Sequence, residues 1–411
     1  MVQKKGKYRV CLYCSHEVKL YNNDEQFSWD LHKQEPFHRR RRLKGKKKIN
    51  SKDLSNMYIQ SMKDLFQSDS NINSWAEELI RLADEQLARQ ERNADVEKAV
   101  ARSFSAIYNG NFQLILFGSR ITGLTICETG DLDIFIDTSE NGDMSLVDNP
   151  ELENHYLQKL ENYMRTNEYN TWVNVASILS CRTPIVKCLH YDTKMQCDIT
   201  VMNGFGIVNT HLMALFLNNI PKLRCLILII REWALASGFT KERDINNYAL
   251  SMLVLFYLQQ GKYAPSVDEL KFDYSGPTNI ISGYECINYE QVKCNWKSYK
   301  DTKNMSLKDL LLGFFTYFKS YDFKKDVVCP LLGKSVKKKL FEQNGRKLPP
   351  QMYPYVEKLK HKGEDFKLKK NSMCIQDPID LAHNLTKSAS ERFTYNFSDM
   401  CDSAKRALET L

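Results

Sequence analysis

Two hydrophobic periods alternate along this chain. From Trp75 to Ala106, Leu79, Leu82 and Leu87, then Val96, Val100 and Phe104, recur at helical spacing, predicting one helix or two broken near Asn93. Residues 112–117 form an apolar strand that runs into Gly118-Ser119. In DLDIFID the period becomes two, so Asp131 and Asp133 share one face while Leu132, Ile134 and Ile136 fill the other. Residues 183–190, TPIVKCLH, read as a further strand. In KMQCDITV, Asp198 falls with Gln196 and Thr200, opposite Cys197, Ile199 and Val201. Helical spacing returns in LKDLLLGFFTYFKSYDF, with Leu307, Leu311, Phe314, Phe315 and Phe318 as its apolar stripe. The stretch 262–305, rich in Gly, Pro, Asn and Tyr, reads as a surface connection anchored by Leu270 and Phe272.

Composition narrows the class. With 411 residues, 43% hydrophobic and 26% charged, the chain suits two or three globular domains. Its 12 cysteines are irregularly spaced after the first pair and read as free thiols of a reducing compartment. No apolar run approaches the roughly 18 residues of a membrane span. The formal charge of +8 is local: residues 1–48 hold 14 basic and five acidic side chains, and the remainder is nearly balanced. Arg39 to Arg42, Lys44 and Lys46 to Lys48 crowd into ten positions. Such a run reads as a nucleic-acid contact, a nuclear-import signal or both, against a solvated tail as the plain alternative. Nuclear location is the first expectation, with cytoplasm and then mitochondrion behind it. A second basic stretch, 332–346, reads equally well as a solvated face.

Ahead of the basic run stand Cys11 and Cys14 in CLYC, then His32 and His38. Two thiolates and two imidazoles satisfy tetrahedral zinc, although the histidine spacing is at the long edge of the usual range. His16 is a competing ligand only two residues past the knuckle. A segment this small cannot fold on apolar burial alone, so zinc would supply its folding energy. The pattern resembles the matrin-type fingers of RNA-binding proteins.

The main chemistry lies in FQLILFGSRITGLTICETGDLDIFID. Gly118 permits a tight turn and close backbone approach to a phosphate, and Ser119 adds a hydroxyl donor. Arg120 is read as the start of a short helix whose N-terminus would add to the anion site. Asp131 and Asp133 repel each other unless a cation neutralises them, and Mg2+ suits oxygen ligands with a phosphate substrate. If the strands pair side by side, Asp198 completes a three-carboxylate cluster for two ions.

The order of GS, DLD and the later CDI resembles the DNA polymerase β-like nucleotidyltransferases, and more narrowly the terminal nucleotidyltransferases that add A or U to RNA 3′ ends. RTPIVKC, CDITVMNGFGIVNT, LRCLILIIREWA, NNYALSMLVLFYLQ and QDPIDLAHNL extend the likeness across roughly residues 72–405. It implies an α+β bilobed enzyme. The finger and basic tail take residues 1–48, and a linker 49–73. Helices at 74–106 pack on the helical domain, the palm spans 107–205, and the helical domain 206–411. It implies triphosphate and ribose contacts at Gly118, Ser119, Asn209 and Thr210, and base stacking on Tyr248 after Asn247, where serine is usual. Of two phosphate-binding basic positions, the first is Arg231; the second is Leu235, for which Lys222, Arg224 or Arg243 would have to compensate. Asp377, Asp380 and His383 match the base pocket of enzymes that prefer UTP. The implied reaction is transfer of UMP from UTP to an RNA 3′-hydroxyl with Mg2+ or Mn2+. ATP as donor, and an inactive RNA-binding scaffold, are the alternatives. A monomer without membrane contact is the default.

Overall fold

The computed structural model describes residues 2–5, 8–11, 17–19 and 69–410, apart from 128–129, 140–148, 203, 238, 240–243, 342–344, 346 and 363–371. Residues 1–60 and 61–411 are two separate compact units. In the first, three strands pair antiparallel: β1 (Val2–Lys5), β2 (Tyr8–Cys11) and β3 (Glu17–Lys19). Cys11 closes β2, and the chain has reversed direction by Glu17. Cys14, His16, His32, His38 and the basic run from Arg39 lie outside the described residues.

The second unit opens with α1 (Asp69–Ala88) and α2 (Gln90–Ser105). The break falls at Arg89, and Asn93 is buried within α2. After β4 (Gln113–Phe117) and β5 (Leu132–Asp137) comes α3 (Pro150–Asn167). The side chain of Asn149 caps α3 by accepting from the Leu152 N–H, and Pro150 occupies the first turn, where no N–H is missed. β6 (Trp172–Ile178), β7 (Ile185–His190) and β8 (Met195–Val201) complete a five-stranded sheet ordered β4–β5–β8–β7–β6. Only the central pair β5–β8 is parallel, so the sheet is mixed.

Alternation works as the sequence predicts. Leu132, Ile134, Ile136, Cys197, Ile199 and Val201 point into one core with Val100 and Phe104 of α2 and Leu157 and Leu160 of α3. Each fully buried side chain of this size stabilises the fold by about 2 kcal/mol. Trp172 Nε1 donates to Ser103 Oγ and to Glu168, fastening α2 to β6. Hence α2 belongs under the palm sheet. The expectation that both early helices serve the helical domain is corrected: only α1 packs there, against the helix Leu223–Ala236.

That second lobe is helical: α4 (Phe205–Asn219), α5 (Leu223–Ala236), α6 (Asn247–Gln260), α7 (Val267–Phe272), α8 (Leu307–Lys319), α9 (Tyr353–Lys362) and α10 (Glu391–Glu409). Its core is aromatic, with Trp233 edge-on to Phe315 and Phe397. The stripe of α8 is buried as its spacing predicts, and Ser306 caps the helix by accepting from the Asp309 N–H. In the connection before α8, Leu270 is fully buried but Phe272 is 91% exposed, which corrects its reading as an anchor. Two residues apart on α7, the side chains diverge by roughly 200°. The later basic stretch is not wholly a solvated face either: Lys338 is buried and donates to the Ser372 carbonyl at 3.0 Å. The second unit is a bilobed α+β arrangement of mixed-sheet palm and helical lobe. No single helix among the described residues is long and apolar enough to cross a membrane.

Candidate active site

The parallel register of β5 and β8 sets Asp133 beside Asp198, and Asp131 precedes β5 by one residue. On β7, Lys187 lies directly opposite Asp198. Its Nζ donates to Asp198 Oδ1 at 2.6 Å and reaches Asp131 Oδ2 at 3.4 Å. The three carboxylates therefore do converge on one face, with an ammonium among them. Lys187 was not anticipated as part of this site. The available signal was one lysine in the apolar strand IVKCLH, on the face opposite Val186 and Cys188. Burial, then Asp198 and Asp131, push the Asp133 carboxyl up to about 7, opposed by Lys187 and Arg120. Burial likewise raises Asp198, opposed by Lys187. Among the described residues no group of three His, Cys, Asp or Glu side chains already stands at ligating geometry. Even so, crowded carboxylates that resist ionising are a hard-oxygen donor set, and they suit Mg2+ or Mn2+.

Gly118 ends β4 with φ +85°, and a Cβ there would lie 2.0 Å from Asp133 Oδ2. Glycine is what allows this carboxylate to pack on the turn. The anion donors expected here are engaged within the protein: the Gly118 N–H donates to Thr210 Oγ1 at 2.8 Å, and Ser119 Oγ pairs with Thr125 Oγ1 at 2.8 Å. Arg120 does not begin a helix. Residues 119–123 form a turn that closes at Gly123, whose φ of +68° is outside the helical range. Arg120 is itself buried and donates to the Gly130 carbonyl at 2.7 Å, tying the start of the loop to its end beside Asp131.

On the helical lobe, Asn209 Oδ1 is buried without a hydrogen-bond partner. Arg231 departs from its expected role on phosphate. It is buried, donating from Nη1 to the Leu124 carbonyl at 2.8 Å and from Nη2 to Ser251 Oγ at 2.9 Å. Burial lowers its pKa to about 10, so it stays charged at neutral pH while it props the loop. Leu235 is exposed on α5. Lys222 donates to Met305, and Arg224 holds the Gly123 carbonyl and Asp84, so these two are occupied elsewhere. Arg243 lies outside the described residues. Asn247 and Tyr248 occupy the first turn of α6; the Tyr248 residue is partly exposed, but its hydroxyl is buried and unpartnered near Asp377 and Tyr289.

The pocket residues of the C-terminal loop are largely committed to the protein. Asp377 Oδ1 accepts from the Ile379 and Asp380 N–H groups, and its Oδ2 stands 3.8 Å from His383 Nδ1. Asp380 is held by Arg182 of the palm, a partner that went unforeseen because 198 positions separate the two. A separate cavity of about 790 Å³, lined by α1, Lys222, Cys225 and Leu307, shares no residue with the three palm carboxylates or with the C-terminal loop.

Comparison with known proteins follows the same outline. The family model described as the central palm domain of mitochondrial-like poly(A) RNA polymerase matches residues 72–218. The speckle targeted PIP5K1A-regulated poly(A) polymerase of Danio rerio is 29% identical over 58% of this chain and 30% of its own length. The mitochondrial poly(A) RNA polymerase of Mus musculus is 25% identical over 71% of this chain and 48% of its own. The chain thus spans under half the length of either relative. Among solved structures, mtPAP in complex with UTP matches 88% of this chain and 71% of its own, at TM-score 0.59 and 22% identity. The Cid1 poly(U) polymerase matches 82% of this chain and 94% of its own, at 0.59 and 17%. The solved structures share this bilobed fold, and residues 72–218 are similar to the palm of mitochondrial-like poly(A) RNA polymerases. These likenesses also overturn the nuclear expectation, since mitochondrial enzymes recur among both the sequence and the structural matches. A basic run serves RNA phosphates as well as import, so charge alone does not fix location.

Proposed function

We propose that this chain adds AMP from ATP to the 3′-hydroxyl of RNA, releasing pyrophosphate, and that it works in mitochondria. The observation that supports the reading is the β5–β8 register, which gathers Asp131, Asp133 and Asp198 on one face. These three residues would hold one or two Mg2+ or Mn2+ ions. Such ions, when bound, make the attacking hydroxyl more acidic and offset charge on the transferred phosphoryl group. The remaining work is done by this chain's side chains. Gly118 keeps the turn narrow enough for Asp133 to stay in place. Of the Ser119–Thr125 hydroxyl pair, one O–H is left to donate to a triphosphate, and Thr210 accepts from the Gly118 amide. Asn209 Oδ1 is a free acceptor for a ribose hydroxyl. Tyr248 offers a ring face for the base. We assign Asp198 to the RNA 3′-hydroxyl and its proton. Catalysis of this kind rests on placement and charge, with no covalent intermediate.

ATP is favoured over the UTP first suggested by His383, because the two sequence relatives named above are poly(A) polymerases, while the Cid1 poly(U) polymerase is similar in fold at 17% identity. His383 also faces Asp377 at 3.8 Å, which limits its reach to a uracil edge. The motif DP-x-D-x-x-HN keeps UTP as the second reading. Purified protein incubated with oligo(A) RNA, Mg2+ and each nucleoside triphosphate separately decides between them. ATP-dependent lengthening is expected. UTP-only lengthening would establish the second reading, and RNA binding without lengthening would establish a scaffold.

We also read Cys11, Cys14, His32 and His38 as a zinc set that helps grip RNA. The spacing of CLYC ahead of two histidines supports this reading. Metal analysis of the purified chain is expected to find about one zinc per protein; protein that is folded and zinc-free would refute it.

A further inference from the structure

We propose that Arg224 is a positioning residue for the triphosphate of the incoming nucleotide: from the first turn of α5 it holds the turn 119–123, and through it the Ser119–Thr125 hydroxyl pair. Its Nε donates to the Gly123 carbonyl at 2.8 Å, and its Nη1 to Asp84 Oδ1 of α1 at 2.7 Å. Nη2 is buried without a hydrogen-bond partner. A Cβ at Gly123 would lie 2.8 Å from that Nη2 and 2.8 Å from Leu87 Cδ1, on a backbone already at φ +68°. Glycine is therefore what lets the guanidinium lie against the turn.

Arg224 shares this work with Arg231, seven residues further along α5, which donates to the Leu124 carbonyl, the next one in the chain. Seven residues are close to two helical turns, so both arginines leave one face of α5, about 10.5 Å apart along its axis. Two consecutive carbonyls beside the phosphate site thus hang from one helix of the other lobe. The same stretch of backbone sets Ser119. The Leu124 N–H returns to the Ser119 carbonyl at 2.8 Å, and Thr125 Oγ1 pairs with Ser119 Oγ at 2.8 Å. Of the two contacts Arg224 makes, the bond to Gly123 matters more. Asp84 is 57% exposed, and an ion pair so open to solvent holds little. A guanidinium on a carbonyl is charge-assisted and stronger than a neutral pair. The triphosphate is common to every nucleotide. Releasing the turn therefore weakens all nucleotides alike and leaves the choice of base untouched.

This inference rests on the proposed nucleotidyl transfer, and the test separates the two. The full chain with Arg224→Met, Arg224→Lys, Ser119→Ala, or Arg224→Met and Ser119→Ala together is assayed with oligo(A), Mg2+ and ATP or UTP. Arg224→Met is expected to raise KM for both nucleotides by roughly 10-fold, with kcat within about 3-fold. A merely structural role would shrink the active fraction, lowering apparent kcat at constant KM. Arg224→Lys keeps a donor for Gly123 and should hold the rise in KM to about 3-fold; it carries the test if Arg224→Met does not fold. The double variant should be little worse than the worse single, because both changes act through one contact. An unchanged KM, a rise confined to one nucleotide, or losses that multiply in the double variant would overturn the inference. If the wild-type chain does not lengthen RNA, nucleotidyl transfer fails, and binding of inorganic triphosphate with Mg2+ still judges Arg224. Affinity weakened about 10-fold by Arg224→Met upholds the role, and equal affinity or no binding by either protein refutes it.

Discussion

Acidic side chains gather in two regions of this molecule, the palm face and the loop 376–386, and they are held by different means. On the palm, backbone pairing places Asp133 against Asp198, and Lys187 arrives from the next strand in the same register. In the loop, Asp377 is held by its own turn, and Asp380 by an arginine from another lobe. Strand pairing leaves little freedom, since a slip of one residue would bury every carboxylate. The loop is tied instead by single bonds, such as the Gln376 N–H donating to the Val328 carbonyl at 2.9 Å. On the proposed reading, the reaction centre is built on paired strands and base selection on a loop.

The largest break in that contrast is Asp133→Ala. RNA lengthening should fall by at least about 10³-fold, the loss of several kcal/mol of transition-state stabilisation. Activity near wild type would remove the palm face from the chemistry. Next comes Gly118→Ala, which adds a Cβ into Asp133 and strains a backbone held at φ +85°. It should cost about 2 kcal/mol in urea unfolding and roughly 10²-fold in rate. A merely local turn would show neither effect.

A smaller effect concerns Mg2+ and pH. The folded-state pKa of Asp133 is raised to about 7, so the folded chain binds that proton more tightly than the unfolded chain. Its favourable contribution is complete below the ordinary carboxylate range and is lost as pH rises through about 7. The rise in melting temperature on replacing EDTA by Mg2+ should therefore grow from about pH 6 to about pH 8. Lys187→Met should enlarge it further, because the carboxylates lose their internal cation. A gain independent of pH and of Lys187 would argue against a shared cation site. The smallest effect is expected of His383→Ala in the loop: ATP use should rise relative to UTP by about 3-fold, with little change in kcat. No movement in the ratio would free His383 from any part in base choice.

Local periodicity by itself determined much of this protein. The face of each palm strand, the buried stripe of α8 and the glycine beside the carboxylates follow from alternation and φ/ψ limits acting over a few residues. Backbone geometry makes those features readable without knowing the neighbours. Tertiary packing alone decided the rest. It sent α1 and α2 to different lobes, buried Arg231, expected on phosphate, against the Leu124 carbonyl, brought Lys187 to Asp198, and joined Arg182 to Asp380. Such pairings depend on which surfaces dock and in what register. A long charged side chain carries no local sign of which distant partner will neutralise it.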